Sequence, residues 1–431
     1  MAARPRLLFL AQCLPYPPHS GAASRTFNIL RQLQADYDID LVPFFRLNHH
    51  PDGAARDAGR DMLGSIPACV AEPTPIASEH SLTRKIWDHV RSVASGRPYT
   101  YYLYDSRAFA SRLRAILRTR TPDLVHLESL DLHGWLANLP QVPIACTHQN
   151  IESDLLRRHT PEVKSSVLRY YLRFQAGRLE HVERQLCPQL ALNVMVSEVD
   201  ARRLGALAPG AVTAVVPNGT DTEYFRPSDV QPVPGRVAFV GPTYSYPNWD
   251  AVEFLVQDIW PRVRAANRSA SLRLIGRGPP AHRTRYEAEA DVTTLGYVPD
   301  IRPPLSEACC CVVPIRIGGG TRLKILDAWA MGKAVVSTSV GCEGLDVVNE
   351  GNILVRDSAD AFAEGVLQVL GDPRLRSRLE RNGRRTAIET YSWGVIGERI
   401  RSAYGELLSR SASVAAAYPG RMRRWNVASH A

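Results

Sequence analysis

The residues best suited to chemistry in this chain lie close together between Pro314 and Gly332. Gly318, Gly319 and Gly320 follow an apolar run, Cys311 to Ile317, and lead into Thr321, Arg322, Lys324 and Asp327. Leu323, Leu326, Ala330 and Met331 recur at helical spacing, so the glycines bridge a strand end and a helix start. Glycine there permits tight turns and leaves amide N–H groups pointing over the first turn of the helix. Orphan amides and the helix dipole both favour negative charge, which makes such a loop a seat for phosphate. Arg322 can fork onto phosphate oxygens, and Lys324 can act as a point charge beside them. Lysine is scarce elsewhere: only Lys85, Lys164, Lys324 and Lys333 occur. The plain alternative is a strand-to-helix turn with a solvated basic flank. Three successive glycines cost folding entropy that such a turn does not need.

Further polar groups sit where strands should end. The apolar run Leu124–Leu127 carries His126 and is followed by Glu128, and the strand Val142–Cys146 leads into Thr147, His148, Gln149 and Asn150. Open α/β sheets bind ligands outside the carboxyl ends of their strands, so these two ends are expected to line one crevice. For either histidine alone, a buried imidazole satisfying a neighbouring loop is the competing reading. In the second half, Val237–Gly241 restarts a strand–loop–helix pattern, and Leu272–Ile275 ends in Gly276-Arg277-Gly278, the next-best phosphate cradle. Glu343, between Gly341 and Gly344, either contacts a nucleotide or ends a turn.

The elements that must hold these groups are repeated βα units. Arg6–Ala11 reads as a buried parallel strand, a loop through Gly21 follows, and Ser24–Leu33 reads as a helix. That loop lacks the full G-x-G-x-x-G pattern, so dinucleotide binding is poorly supported. With 431 residues, 45 % of them hydrophobic, the chain can fill two cores. The expected organisation is α/β: a Rossmann-like domain over 1–223, a proline-bearing linker over 224–236, and a second Rossmann-like domain over 237–395. A helix over 396–410 is expected to pack back on the first domain, leaving a loose tail over 411–431. Asn48–Gly59 reads as a mobile polar loop, and 157–184 as one long basic helical segment whose arginines face a membrane or solvent.

The net charge of +9 suits an anionic membrane surface or a phosphorylated substrate. Nucleic acid is disfavoured, since no basic run is interleaved with aromatics. Cys309, Cys310 and Cys311 alternate across a strand and make a poor metal site; no metal is expected. Neither a cleavable signal peptide nor an apolar stretch of about 20 residues is visible. The expected location is cytoplasmic, with peripheral contact at the inner face of the membrane.

The glycine stretch, together with Lys333–Thr338 and Gly341–Leu345, resembles the nucleotide-sugar-binding region of GT-B retaining glycosyltransferases, family 4 (glycosyltransferase group 1). The resemblance extends to Phe239–Gly241 through Asn248 and to His148–Ser153. It implies two Rossmann-like domains facing across a cleft, with the acceptor side N-terminal and the donor side C-terminal. It implies transfer of a sugar, with retention, from a nucleoside-diphosphate sugar to a glycan, lipid-linked or small-molecule acceptor. No cofactor or metal is implied, the nucleotide sugar being a co-substrate. The family's E-x7-E pattern puts its second carboxylate on Asp327, but Gly319 stands at the first. Where the family often has arginine and lysine after the first strand of the second domain, this chain has Pro242 and Asn248; Arg322 and Lys324 are inferred to take over diphosphate neutralisation. The family's catalytic histidine corresponds approximately to Glu128, with His126 two residues earlier, and His148 across the crevice. The implied donor site comprises Gly241, Arg277, Gly318, Gly319, Gly320, Thr321, Arg322, Lys324, Asp327 and Glu343, with Gly21 a further candidate. An NDP-sugar epimerase of similar fold and a non-catalytic nucleotide-sugar-binding protein are the alternatives.

Overall fold

The computed structural model describes residues 4–417 apart from 19, 48–52, 65 and 67–68. The chain divides into two compact units: one runs to Val216 and resumes at Gly397, and the other is Pro217–Ile396. In the first unit the strands are β1 Arg6–Ala11, β2 Asp38–Phe45, β3 Cys69–Val70, β4 Thr74–Pro75, β5 Leu124–Leu127, β6 Ile144–His148, β7 Leu192–Met195 and β8 Thr213–Val215. They pair in parallel in the order β3-β2-β1-β5-β6-β7-β8, with β4 beside β2. The second unit holds β9 Arg236–Val240, β10 Ser271–Ile275, β11 Val292–Gly296, β12 Cys310–Val313, β13 Ala334–Ser337 and β14 Leu354–Val355. Their order is β11-β10-β9-β12-β13-β14, all parallel.

Both sheets reverse direction once, between β1 and β5 and between β9 and β12. Parallel strands connected through helices on both faces are buried on both sides, which is why they read as unbroken apolar runs. Leu7–Ala11, Cys310–Val313 and Ala334–Val336 are essentially inaccessible. Each sheet has its own core. Phe44 stacks on Phe109 at 4.3 Å in the first, and Trp260, Trp329 and Phe239 fill the second. Serine side chains cap the N-termini of Gly21–Leu33, Leu82–Ser95, Arg107–Thr119, Ser166–Leu186, Glu198–Leu207 and Ala359–Gly371, so those helix starts are written locally.

Several expected boundaries move. The first unit ends at Val216, not 223, and the stretch expected as a linker, 224–236, packs on the second unit. Phe225 lies against its core, the Val233 amide donates to Glu307 O at 2.9 Å, and Arg236 already belongs to β9. Prolines without periodicity therefore mark a surface strap here, pinned by backbone hydrogen bonds. The basic segment is two helices, Glu152–His159 and Ser166–Leu186, interrupted by the 3-10 turn Thr160–Glu162 at Pro161. Gly53–Leu63 is a helix and not a loop, while 48–52 lie outside the described residues. The last helix runs Trp393–Ala417, past the expected end at 410; 418–431 lie outside the described residues.

The loops at the carboxyl ends of β9 and β10 lie backbone against backbone. A Cβ on Gly276 would stand 2.3 Å from Gly241 O, and Gly276 has φ +146°. Gly276→Ala must therefore both strain the backbone and part the loops. We expect it to lower stability in chemical denaturation by about 1–3 kcal/mol, the usual cost of overpacking. An unchanged midpoint would contradict this packing.

Candidate functional site

The switch point of the second sheet falls between β9 and β12, and the crevice beyond it is where a doubly wound sheet binds ligands. Two loops border it: Gly241 onward after β9, and Pro314–Arg322 after β12. The second leads directly into the helix Leu323–Ala330, which has no side-chain cap. Gly318 (φ +138°) and Gly320 (φ +70°) adopt conformations that favour glycine. Among the described residues, no protein acceptor takes the amides of Gly318, Gly319, Gly320 or Thr321. Thr321 Oγ1 is likewise buried without a hydrogen-bond partner.

Three basic side chains serve this loop differently. Arg322 folds back, donating to Gly319 O and, at 3.0 Å, to Gly320 O, so it braces the loop. Arg316, on the same loop, forks onto Asp250 at 2.6 and 3.1 Å and covers the Phe254 ring at 4.4 Å, tying the loop to the helix Tyr246–Phe254. Lys324 reaches across to the end of β9. Its Nζ lies 4.4 Å from the Phe239 ring centroid and donates to Asn248 Oδ1 at 2.7 Å. A Cβ on Gly241 would come within 2.7 Å of that ammonium, so the glycine makes room for it. The place after the first strand where the resemblance implied a basic residue is thus filled by a lysine from another element. Burial pushes Lys324 down to about 7, and Arg322 adds to the effect. Lys333 shows the contrast: its ammonium rests on two carbonyls, Ser306 O and Ala308 O, at 2.6 and 3.1 Å.

One turn beyond Lys324, Asp327 accepts from Thr220 Oγ1 at 2.8 Å; burial drives its carboxyl up to about 7, and Asp221 reinforces the shift. Beside Gly241 opens a cavity of about 280 Å³, lined by Phe239, Thr243, Gly276, Gly278, Pro279 and His282 among others. Arg277 lies outside that lining, its guanidinium 4.1 Å over the Tyr297 ring. Glu343 lies in the turn after β13, whose Gly341 sits against Val313 O at the end of β12.

In the first unit Glu128 occupies the corresponding switch point, just past β5. It accepts from Thr26 Oγ1 and from the Gln12 amide at 2.6 Å, and burial raises it to about 7. Gly21 opens the helix that carries Thr26. His126 requires correction: both ring nitrogens face side chains of the same unit, Tyr404 Oη and Thr147 Oγ1, and the ring stacks on Phe9 at 4.2 Å. Burial, with help from Arg25, lowers it to about 3, so it is a neutral core histidine. Two residues apart on one strand would share a face, but Glu128 lies beyond the strand end. His148 is also buried and neutral, at about 4, with Nε2 on Asn193 Oδ1 at 2.9 Å. It borders a polar cavity of about 10 Å³, room for one water, shared with Asp131, Asn150, Glu152 and Glu183.

The second unit thus holds Gly241, the glycine loop, Lys324 and Asp327 around the switch point of its sheet. Asp250 and Thr220 were missed as site residues, and Asn248 and Arg316 stand in the stretches singled out but were given no role there, since each acts through a contact made across the fold. Among the described residues, no group of three or more His, Cys, Asp and Glu could hold a metal ion, and no helix is long and apolar enough to cross a membrane.

Comparison with known proteins identifies the family and the fold. The model described as Glycosyltransferase Family 4 matches residues 19–224, and that described as Glycosyl transferases group 1 matches residues 234–372. The chain belongs to the GT-B glycosyltransferases of family 4, enzymes that use a nucleotide sugar. No curated protein matches it. Among solved structures it is similar to sucrose-phosphate synthase from Thermosynechococcus elongatus (18% identity, TM-score 0.69, covering 94% of this chain and 100% of that one). It is also similar to Anabaena HepE in complex with UDP (14%, 0.64, 93% and 100%). A third is a mutant of S. aureus TarM in complex with fondaparinux, alpha-GlcNAc-glycerol and UDP (10%, 0.65, 94% and 99%). At these identities the likeness is one of fold.

Lys324 makes the site's stability depend on pH. Its folded pKa of about 7 lies below the value near 10.4 of an unfolded lysine. The unfolded chain therefore binds more protons between those values, and the lysine's cost is full below pH 7 and relieved as pH rises. Lys324→Met should raise the unliganded melting temperature at pH 6–7, and the gain should vanish near pH 10. A gain that is equal at both pH values, or absent, would show that the ammonium is not desolvated.

Proposed function

We propose that this enzyme transfers a sugar, with retention and without a metal, from a nucleoside-diphosphate sugar bound by the second unit to a hydroxyl of a glycan, lipid-linked or small-molecule acceptor. The observation that carries the reading is the run of unclaimed donors from Gly318 to Thr321, at the N-terminus of a helix and beside Lys324. A diphosphate satisfies all of them. As the glycosidic C–O bond breaks with oxocarbenium character, charge grows on the leaving diphosphate where these donors already point. The anion also restores the proton that burial loosens on Lys324. The cavity beside Gly241 suits the nucleoside, and Asp327 suits a ribose hydroxyl. UDP, present in the HepE and TarM complexes, is the first nucleotide to test. Eight free thiols, seven of them buried, support a reducing, cytoplasmic location.

One observation favours a second reading, a non-catalytic nucleotide-sugar-binding protein: Gly319 stands where the family's pattern has a carboxylate. Binding of donor without turnover on any acceptor would decide for it.

Lys324→Ala should lower turnover roughly 30- to 1000-fold, about 2–4 kcal/mol, on the scale of one lost oxyanion donor. Turnover within threefold of the parent would place the diphosphate elsewhere, with the Arg277 loop next in line. Calorimetry with UDP should also show affinity falling from pH 7.5 to 9, because the ligand prefers protonated Lys324 and the free site loses that proton above about 7. Lys324→Met should flatten the slope; a slope unchanged by the substitution would remove the lysine from the site. Turnover in excess EDTA should equal turnover in magnesium, and loss in EDTA would overturn the metal-independent reading.

A further inference from the structure

The helix Leu82–Ser95 in the first unit is built inside out. Asp88 is 1% exposed and Ser92 is fully buried, whereas Leu82 is 72% and Trp87 58% exposed. Ile86, Val90 and Val93 are exposed with them, and at helical spacing the five form one apolar stripe of more than a third of the circumference. The inward polar face is fully engaged. Arg84 Nε reaches both oxygens of Asp88 at 2.8 Å, Gln175 Nε2 donates to Ser92 Oγ at 2.8 Å, and His89 meets Tyr171 Oη. Rolling the apolar face inward would break all of these contacts. Gln175 and Tyr171 belong to the neighbouring helix Ser166–Leu186, whose first turns also expose Val167, Leu168 and, at 78%, Tyr170.

Charge identifies what covers this face. Residues 163–178 carry Lys164, Arg169, Arg173 and Arg178 and no acid, and Lys85 is exposed beside the stripe. The acid of the helix Leu82–Ser95, Asp88, is buried and already paired with Arg84 and Arg91. A two-fold contact between copies would set this basic surface against itself. The residues of the chain beyond 417 carry Arg421, Arg423 and Arg424 and no acid, so they have no electrostatic attraction to it either. Exposed aliphatics with an interfacial tryptophan and tyrosine, set among basic side chains, match the boundary of an anionic bilayer, where apolar groups enter the acyl edge and cations meet headgroups.

We propose that the helix Leu82–Ser95, with the start of Ser166–Leu186, docks the enzyme on an anionic membrane surface. This docking stands apart from the donor chemistry, and its test reads neither donor nor turnover. Full-length protein is sedimented with large vesicles of phosphatidylcholine alone or mixed with phosphatidylglycerol. Binding is expected to the anionic vesicles and to fall with salt. Ile86→Ser with Trp87→Ser, and separately Lys85→Glu with Arg173→Glu, should each weaken it about tenfold or more, with the thermal transition and UDP calorimetry unchanged. No vesicle binding by the parent, equal binding to neutral vesicles, or binding retained in both variants would overturn the proposal. A lipid-free dimer in sedimentation velocity that Ile86→Ser with Trp87→Ser dissolves would overturn it in favour of a second copy. Loss of UDP binding with vesicle binding intact would instead count against the donor site alone.

Discussion

An ammonium held over an aromatic ring with one hydrogen-bonding oxygen is an expensive thing to build, and much of the second unit is arranged around it. Lys324 has three donors and gives one to Asn248 among the described residues. Burial accordingly drives it toward neutrality. The place exists because Gly241 has no Cβ, because Gly276 lets the next loop lie flat against it, and because Arg316 and Asp250 hold the loop after β12 against the adjoining helix. Arg322 is spent on the same end, tying down two carbonyls of the glycine loop. The outcome is a loop braced at its carbonyls, with the amides from Gly318 to Thr321 unclaimed by the described residues.

The first unit treats its polar groups otherwise. His126 and His148 are enclosed and neutral, each satisfied within the unit. Glu128 lies at the switch point, held by two donors, with burial opposing its charge. The polar residues that remain around the small cavity, Asp131, Glu152 and Glu183, are all raised by burial. The helix Leu82–Ser95 inverts the usual division of labour, with apolar residues turned to solvent and polar ones to the protein.

The sequence alone settled the class of fold. Parallel strands buried on both faces must be written as apolar runs, and the βα alternation that joins them follows from chain connectivity. It also located the glycine loop, since three glycines between an apolar run and an amphipathic helix mark a strand-to-helix turn, and showed the relation of that stretch to family 4. What only the tertiary structure decided was how the charges are used. Arg322 and Lys324 are two residues apart and look interchangeable in the chain, yet one braces the loop and the other crosses to β9, because Arg322 stands ahead of the helix at its N-cap and Lys324 lies in its first turn. His126 and Glu128 differ for a related reason: one is inside the strand and the other just past it. Leu82–Ser95 was passed over in the sequence; its helical spacing gives two faces without saying which is turned inward. That choice rests on Asp88, Ser92, Tyr171 and Gln175 meeting one another, and contacts between residues far apart in sequence leave no periodic mark.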